Sequence, residues 1–199
     1  MPPSADPRVG GILLAAGASS RMGSNKMLLE IEGQPLVRRA AGHAIDAGLC
    51  PLVVVLGHDA DEARHALRGL PCTFAFNPAF RDSTSGSLHE GLRALPDSVG
   101  AAVVLLADMV AVSAEMIRTL VARAAETGAP LAASRYGDVA APPLFFRRPL
   151  FPELLAWHGE GCGKAVVRRH EAEATFLDWP PSALTDLDTP ADLDAFLSR

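Results

Sequence analysis

The first residues that could do chemistry lie in a loop of small side chains near the start of the chain. The loop follows an apolar run at 12–16, contains glycines, serines and an asparagine, and carries the cations Arg21 and Lys26. Small residues expose backbone N–H groups, and aligned N–H donors beside fixed positive charge form a good site for a polyphosphate. The glycines alone leave open an ordinary strand-to-helix turn with two solvated basic side chains.

The spacing of these residues excludes two better-known phosphate loops. A Walker A loop has its second glycine five positions after the first, followed by lysine and then serine or threonine. Here Met22 stands five positions after Gly17, and Gly23 is followed by Ser24 instead of lysine. A dinucleotide fingerprint needs a glycine two positions after the first, where this chain has Ser19. The loop is therefore neither of these two phosphate-binding motifs.

Carboxylates that could hold a metal occur far downstream of this loop. Asp108 directly follows the apolar run 101–107, and ligands of open α/β sheets bind beyond the carboxyl ends of the strands. A carboxylate there can hold Mg²⁺ against the phosphates of an NTP, although position alone favours an aspartate that caps a turn. Asp186 and Asp188 lie on one side of an extended segment, and the helix start at 189–192 does not account for them.

Apolar runs and helical periodicity place these groups in a sheet flanked by helices. Strands are predicted at residues 9–15, 52–56, 72–76 and 101–107, with weaker signals at 131–134, 144–146 and 174–177. Helices are predicted from Pro35 to about residue 47, at 59–68, 87–95, 113–128, 150–157 and 164–170, and after Thr189. Ser87 and Glu90 match a capping box that would begin the third helix. Strands alternating with helices predict a single α/β domain, with a doubly wound, mostly parallel sheet and helices on both faces.

Length, charge and cysteine content bound the class of protein. The 199 residues carry a net charge of -5 and are 49% apolar, which suffices for one domain with a full core and argues against a nucleic-acid partner. Three cysteines without a C-x-x-C pair argue against a disulfide framework or a zinc site and fit a reducing cytoplasm. No apolar run is long enough to cross a bilayer, and the N-terminus lacks a signal-peptide pattern. We expect a flexible tail at 1–8 and one cytoplasmic domain at 9–199.

The glycine loop resembles that of a known enzyme family. The motif A-A-G-x-S-S-R-M-G-x-x-K-M-L-L, followed by G-Q-P-L at 33–36, is similar to the small nucleotidyltransferases with a Rossmann-like core, and most of all to the molybdenum cofactor cytidylyltransferases. The resemblance implies a fold like that of the nucleotide-diphospho-sugar transferases. It also implies that the loop wraps an NTP and that Arg21 and Lys26 act in catalysis by neutralising its phosphates. The nucleotide-binding residues that it implies here are Leu14, Ala15, Ala16, Gly17, Ser19, Ser20, Arg21 and Lys26.

The same resemblance assigns a metal site to the downstream acids. The stretch L-A-D-M around Asp108 resembles the family's metal-binding aspartate motif, although Val110 replaces the proline that usually follows. Residues 185–193 resemble the family ending D-[IV]-D-T-P-[ED]-D, in which the second aspartate completes the metal site. The resemblance therefore implies Mg²⁺ held by Asp108 and Asp188, with Asp186 as a supporting residue on the acceptor side.

Two further segments resemble the elements that bind the base and the acceptor. Residues 82–92 are similar to the element S-[VL]-x-x-G-L, which makes Gly86 and Ser87 candidate contacts of the nucleotide base. A capping role would also explain Ser87 without any ligand. Residues 159–164 resemble the turn G-D-x-G-A-R, with Lys164 at the place of the arginine. An acceptor that ends in a phosphate monoester needs a cation, which Lys164 could supply.

Taken together, the resemblance implies transfer of CMP from CTP to the phosphate of a molybdopterin-type molybdenum cofactor, with release of pyrophosphate. The implied partners are CTP, the molybdenum cofactor, and a molybdenum hydroxylase or its chaperone, without nucleic acid or membrane. Three alternatives stay open: guanylyl transfer to molybdenum cofactor, cytidylyl transfer to a sugar or polyol phosphate, and a non-catalytic accessory protein for a molybdenum hydroxylase. The pair Ala15-Ala16 disfavours the guanylyl branch, which usually has two glycines there.

Overall fold

A mixed seven-stranded sheet lies at the centre of the molecule. The computed structural model describes residues 8–17, 26–81 and 83–185. The strands in these ranges are β1 (Val9–Ala15), β2 (Glu30–Ile31), β3 (Gln34–Pro35), β4 (Leu52–Leu56), β5 (Cys72–Phe76), β6 (Ala101–Leu106), β7 (Leu131–Tyr136), β8 (Val139–Arg147) and β9 (Thr175–Trp179). The helices are α1 (Leu36–Asp46), α2 (Ala60–Ala66), α3 (Thr84–Ala94), α4 (Ala114–Thr127), α5 (Phe151–Ala156) and α6 (Cys162–Arg169). The predicted bounds of β1, β4 and β5 are confirmed at both ends.

The strand order explains where the functional edge of the sheet lies. The order is β5-β4-β1-β6-β8-β7-β9, while β2 and β3 form a separate small hairpin. β1 pairs in parallel with β4 and β6, β4 with β5, and β7 with β9. β8 runs antiparallel to both of its neighbours. The carboxyl ends of all the other strands of this sheet therefore meet along one edge.

The direction of β8 follows from its connection to β7. Gly137 and Asp138 alone join the two strands, and Gly137 has a φ of 62°, a left-handed conformation that suits glycine. A turn this short reverses the chain, whereas a parallel neighbour needs a crossover of a dozen or more residues. The sequence predicted only 144–146 of this strand, and the structure extends it to Val139–Arg147.

Helices cover both faces of the sheet. Leu13 of β1 belongs to the core that α1, α2 and α4 share, and its neighbour Ile12 to the core of α3, α5 and α6. Parallel strands between two helix layers are apolar on both sides, which is why β1, β4 and β6 read as continuous apolar runs. The predicted doubly wound, mostly parallel α/β fold is confirmed. None of the described helices has the length and hydropathy needed to cross a membrane.

Helix ends agree with the sequence at α4 and disagree at α3. Ser113 accepts a hydrogen bond from the Met116 N–H at 3.2 Å, and Gly128 ends α4 with a φ of 68°, as predicted. The prediction that Ser87 begins α3 with a capping box is wrong, because the helix begins at Thr84, three residues before Ser87. Ser87 lies inside the helix, where its hydroxyl bonds to a neighbouring side chain instead of a backbone N–H. Residues 1–7 and the helix predicted after position 189 lie outside the described residues.

Candidate functional site

The ends of β1 and β6 bring the glycine loop and the first acid together. These strands pair in register at Leu14 and Leu106, and the Ala107 N–H donates to the Leu14 carbonyl at 3.1 Å. β1 then leads into the loop through Ala15 and Ala16, both buried, and the exposed Gly17. Adjacent parallel strands that end level with each other place the residues that follow them side by side.

Lys26 and Asp108 form the central contact of this site. Lys26 begins a short 3₁₀ turn after the loop, and its Nζ lies 2.6 Å from Asp108 Oδ2. The Lys26 side chain is 11% exposed and that of Asp108 is 21% exposed, so solvent screens the pair only in part. A cation and a carboxylate from positions 82 residues apart thus share one partly buried site.

The carboxylate is suited to a cation that also binds phosphate. The described residues contain no group of three or more histidine, cysteine, aspartate or glutamate side chains that could enclose a metal. Mg²⁺ does not need such a cage, since it commonly binds through one or two carboxylates, substrate phosphates and water. A single aspartate next to Lys26 therefore fits Mg²⁺ better than it fits zinc, which takes three or four protein ligands.

The turn that follows Asp108 is fixed to two distant parts of the chain. Arg39 Nη1 in α1 donates to the Val110 carbonyl at 2.6 Å, and His43 Nδ1 donates to the Val112 carbonyl at 2.8 Å. The Val110 N–H donates to the Thr185 carbonyl at 3.3 Å. Sequence reasoning missed these contacts, because 69 to 75 residues separate the partners and nothing in the sequence pairs them.

The predicted base-binding residues lie in the first turns of α3. Asn77 follows β5 and is 3% exposed; its Nδ2 donates to Ser87 Oγ at 3.0 Å. Its Oδ1 accepts from the Ala79 N–H at 3.0 Å, and this backbone donor fixes the orientation of the amide. A Cβ at Gly86 would lie 3.3 Å from Asn77 Nδ2, so the glycine permits close packing here. No sequence motif points to Asn77, because its burial next to a serine is a tertiary feature.

Two glycines without side chains allow α3 and the end of β4 to approach β1 and the residue that follows it closely. A Cβ at Gly91 of α3 would lie 2.4 Å from Ile12 Cγ2, so the helix sits directly on β1. A Cβ at Gly57, just after β4, would lie 2.7 Å from the Ala16 carbonyl oxygen. Both glycines therefore allow neighbouring elements to approach the strand that leads into the loop.

Lys164 occupies a separate pocket between α6 and the sheet. The pocket has a volume of about 520 Å³, and its lining includes Arg135, Lys164 and Arg168 but neither Lys26 nor Asp108. Arg135 donates to both oxygens of Asp178 at 2.6 and 3.2 Å, and this hydrogen bonding lowers the pKa of the Asp178 carboxyl. The pocket thus holds three cations, one of which is paired with Asp178, together with the acids Asp138 and Glu171.

Cys162, at the start of α6, is poorly suited to act as a nucleophile. Cys162 is the first residue of α6 and is buried, with Sγ 3.4 Å from the Leu154 carbonyl. Burial, with a smaller contribution from the charge of Glu153, raises the pKa of the thiol to about 11. The reactive thiolate is therefore scarce at neutral pH.

Several predicted site residues cannot be placed. Ser19, Ser20 and Arg21 of the loop and the acids Asp186 and Asp188 lie outside the described ranges. Their assigned roles stay predictions.

Known proteins resemble this chain over most of its length. It is 28% identical to the purine catabolism protein PucB of Bacillus subtilis over 200 residues, covering 92% of this chain and 93% of PucB. It is also 34% identical to the bifunctional protein GlmU of Anaeromyxobacter dehalogenans over 115 residues, which cover 55% of this chain and only 24% of GlmU.

A solved structure shares the whole fold. Rv0371c of Mycobacterium tuberculosis H37Rv superposes with a TM-score of 0.85 at 24% identity, covering 98% of this chain and all of that protein. A second structure of Rv0371c, in complex with manganese, has a TM-score of 0.74 at 25% identity, covering 96% of this chain and 98% of that one. Residues 11–174 match the family described as the MobA-like NTP transferase domain, so this chain belongs to that family of nucleotidyltransferases.

Proposed function

We propose that this protein transfers CMP from CTP to the phosphate of a molybdopterin-type molybdenum cofactor, with Mg²⁺ as the divalent cation. An oxygen of the acceptor phosphate attacks the α-phosphorus of CTP, the bond from that phosphorus to the β-phosphate bridging oxygen breaks, and pyrophosphate leaves. The observation that carries this proposal is the contact of Lys26, the first described residue after the glycine loop, with Asp108.

The ion pair explains how the site receives a charged substrate. A Mg²⁺–CTP complex offers a new partner of opposite sign to each member, phosphate oxygens for Lys26 and a cation for Asp108. Most of the free-energy cost of removing both charged side chains from water has therefore already been incurred in folding, before the substrate binds. Lys26 then holds a phosphate by a charge-assisted hydrogen bond. The divalent cation, when bound, neutralises charge on the α-phosphate and on the departing pyrophosphate.

The position of Thr185 supports a role for the downstream acids. The last described residue, Thr185, bonds through its carbonyl to Val110, two residues after Asp108. Three residues of chain span at most about 11 Å, so a carboxylate at position 188 is able to reach the cation that Asp108 would hold. The manganese in a structure of the relative Rv0371c supports a divalent cation for this protein. We keep Arg21 as the second phosphate-binding cation and Asp188 as the second metal ligand.

We assign the base to the start of α3 and the acceptor to the separate pocket beside α6. The Asn77 amide donates to the Ser87 oxygen, which leaves the Ser87 proton for a second partner, such as an acceptor atom of the cytosine ring. The pocket lined by Lys164 and Arg168 is the candidate site for the anionic acceptor. The name of PucB, a purine catabolism protein, is compatible with a molybdenum hydroxylase as the eventual recipient, since such enzymes oxidise purine rings.

Pyrophosphate release, measured with each NTP with and without molybdenum cofactor, tests this function. We expect release from CTP only, and only with the cofactor present. Asp108→Ala should abolish turnover without changing the fold, as checked by circular dichroism. Release from GTP would move the function to the guanylyl branch, and turnover with a sugar or polyol phosphate would change the acceptor. Cofactor binding without pyrophosphate release from any NTP would make the protein a non-catalytic accessory protein.

A further inference from the structure

The turn after Asp108 is held from one side by a single helix. Two side chains of α1, four residues apart, donate to two of its carbonyls: Arg39 to Val110 and His43 to Val112. Residues four apart lie on the same face of a helix, so α1 presents both donors to the turn at once. Arg39 contacts the turn two residues from Asp108, and His43 contacts it four residues away.

Arg39 is also fixed by its own surroundings. Its side chain is 20% exposed, and its Nε lies 3.4 Å from Glu32 in the turn between β2 and β3. Val110 packs with Ile31 of that hairpin and with Leu36 of α1 in a small buried cluster. Packing against both the hairpin and α1 therefore fixes the Val110 carbonyl where it accepts the hydrogen bond from the guanidinium.

Val110 is hydrogen-bonded both to Arg39 and to Thr185, near the C-terminal end of the described residues. Its carbonyl accepts from Arg39, and its N–H donates to the Thr185 carbonyl at 3.3 Å. A proline at position 110 has no N–H and would lose the second bond. Arg39 thus acts on Val110, which is hydrogen-bonded to Thr185 at the start of the segment leading to Asp186 and Asp188.

We propose that Arg39 is a positioning residue for the divalent cation: by holding the Val110 carbonyl it sets where the carboxylate of Asp108 meets the incoming chain from Thr185. This role rests on the nucleotidyl-transfer function proposed above. The guanidinium does not touch the cation; it limits the freedom of the backbone that carries a ligand. Loss of such outer support typically weakens metal affinity by about 10 to 100-fold.

Mn²⁺ binding to the full chain in the presence of CTP, followed by the electron paramagnetic resonance signal of free Mn²⁺, tests this role without relying on turnover. We expect Arg39→Met to raise the Mn²⁺ dissociation constant about tenfold. Arg39→Lys should give an intermediate value, because its ammonium still donates from nearly the same place. Thermal melting of each variant shows how much stability is lost.

Two control variants separate positioning from simple stability. His43→Ala removes a similar bond from the same helix to the same turn, further from Asp108, and should lower the melting temperature while leaving Mn²⁺ affinity within twofold. Glu32→Gln removes only the charge of the exposed partner of Arg39 and keeps an acceptor oxygen, so it should change neither quantity. Equal losses of Mn²⁺ affinity in Arg39→Met and His43→Ala, in proportion to their losses of stability, would overturn the role of Arg39.

The variant Asp108→Asn distinguishes failure of this role from failure of the proposed function. If Asp108→Asn binds Mn²⁺ as tightly as the wild type, Asp108 is not a metal ligand. Both the proposed metal site and the role of Arg39 are then wrong. If Asp108→Asn loses Mn²⁺ while Arg39→Met keeps wild-type affinity, only the role of Arg39 is wrong. Should Arg39→Met not fold, Arg39→Lys decides: a raised dissociation constant with unchanged melting supports the role, and an unchanged constant overturns it.

Discussion

Lys26 and Asp108 illustrate how a partly buried ion pair can serve a binding site. Two charges taken out of water cost several kcal/mol of desolvation each, which their mutual attraction repays only with good geometry. The 2.6 Å contact supplies that geometry in the ligand-free protein. In the proposed function, the pair supplies two oriented charges to the incoming nucleotide and its cation. Its value lies less in stability than in pre-organisation, because the charges need no rearrangement from solvent when a triphosphate enters.

Lys26→Met should therefore damage turnover far more than folding. We expect kcat with CTP to fall by about 100-fold or more, the loss typical of one preorganised donor to developing charge, with a secondary structure content unchanged by circular dichroism. Steady-state kinetics of pyrophosphate release measure it. Arg123→Met, which removes an exposed cation paired with Glu126 on α4, should stay within twofold of the wild type. A wild-type kcat in Lys26→Met would remove this lysine from the site.

The absence of a side chain at Gly91 allows α3 to pack closely against β1. Gly91 of α3 has no room for a side chain, since a Cβ there would meet Ile12 and Val55 at 2.4 and 3.1 Å. This contact sets the height of α3 above the sheet, and with it the position of Gly86 and Ser87 at the start of the same helix. Gly42 of α1 is different, because nothing lies within 4 Å of its Cβ position.

The two helix glycines make a matched pair of substitutions. Gly42→Ala should stabilise the protein by about 0.5–1 kcal/mol, because alanine restricts the unfolded chain and fits the open position. Gly91→Ala should destabilise it, since overpacking costs about 1–3 kcal/mol and exceeds the same gain in helix propensity. Urea unfolding at equilibrium measures both changes. Equal stabilisation by the two alanines would show that α3 does not rest on β1 as closely as described.

The whole molecule brings together segments that are distant in sequence at one edge of the sheet. The glycine loop follows β1, Asp108 follows β6, and Thr185 contacts the same turn from near the end of the described chain. A ligand that bridges these segments binds only the folded protein, so it must stabilise the fold as a whole. The divalent cation contributes to that stabilisation only if it links phosphate to carboxylate.

CTP with Mg²⁺ should therefore raise the melting temperature, and CTP with EDTA should raise it much less. A ligand at 100 times its dissociation constant adds about 2.7 kcal/mol of stability. For a chain of this size that corresponds to about 5–10 °C. Differential scanning fluorimetry measures the shift, and Asp108→Asn should lose the part that depends on the metal. Equal shifts with Mg²⁺ and with EDTA would contradict a cation held between nucleotide and protein.

The sequence by itself determined the strands β1, β4 and β5 to the residue and the capped helix α4. It could do so because continuous apolar runs and a serine or glycine at an element's end act locally. It also singled out Lys26 and Asp108, through residue types that suit phosphate and metal. Only the tertiary structure decided that these two side chains touch, that β8 runs antiparallel, and that α3 begins before Ser87.

The contacts of Arg39 and Asn77 are also features that only the tertiary structure decided. Each depends on a buried polar group finding its partner across the fold, Arg39 with Val110 and Asn77 with Ser87. The need for a partner is local, since an unpaired buried polar group costs free energy. Which partner satisfies it is settled only when the elements pack, and no periodicity or spacing in the chain encodes that choice.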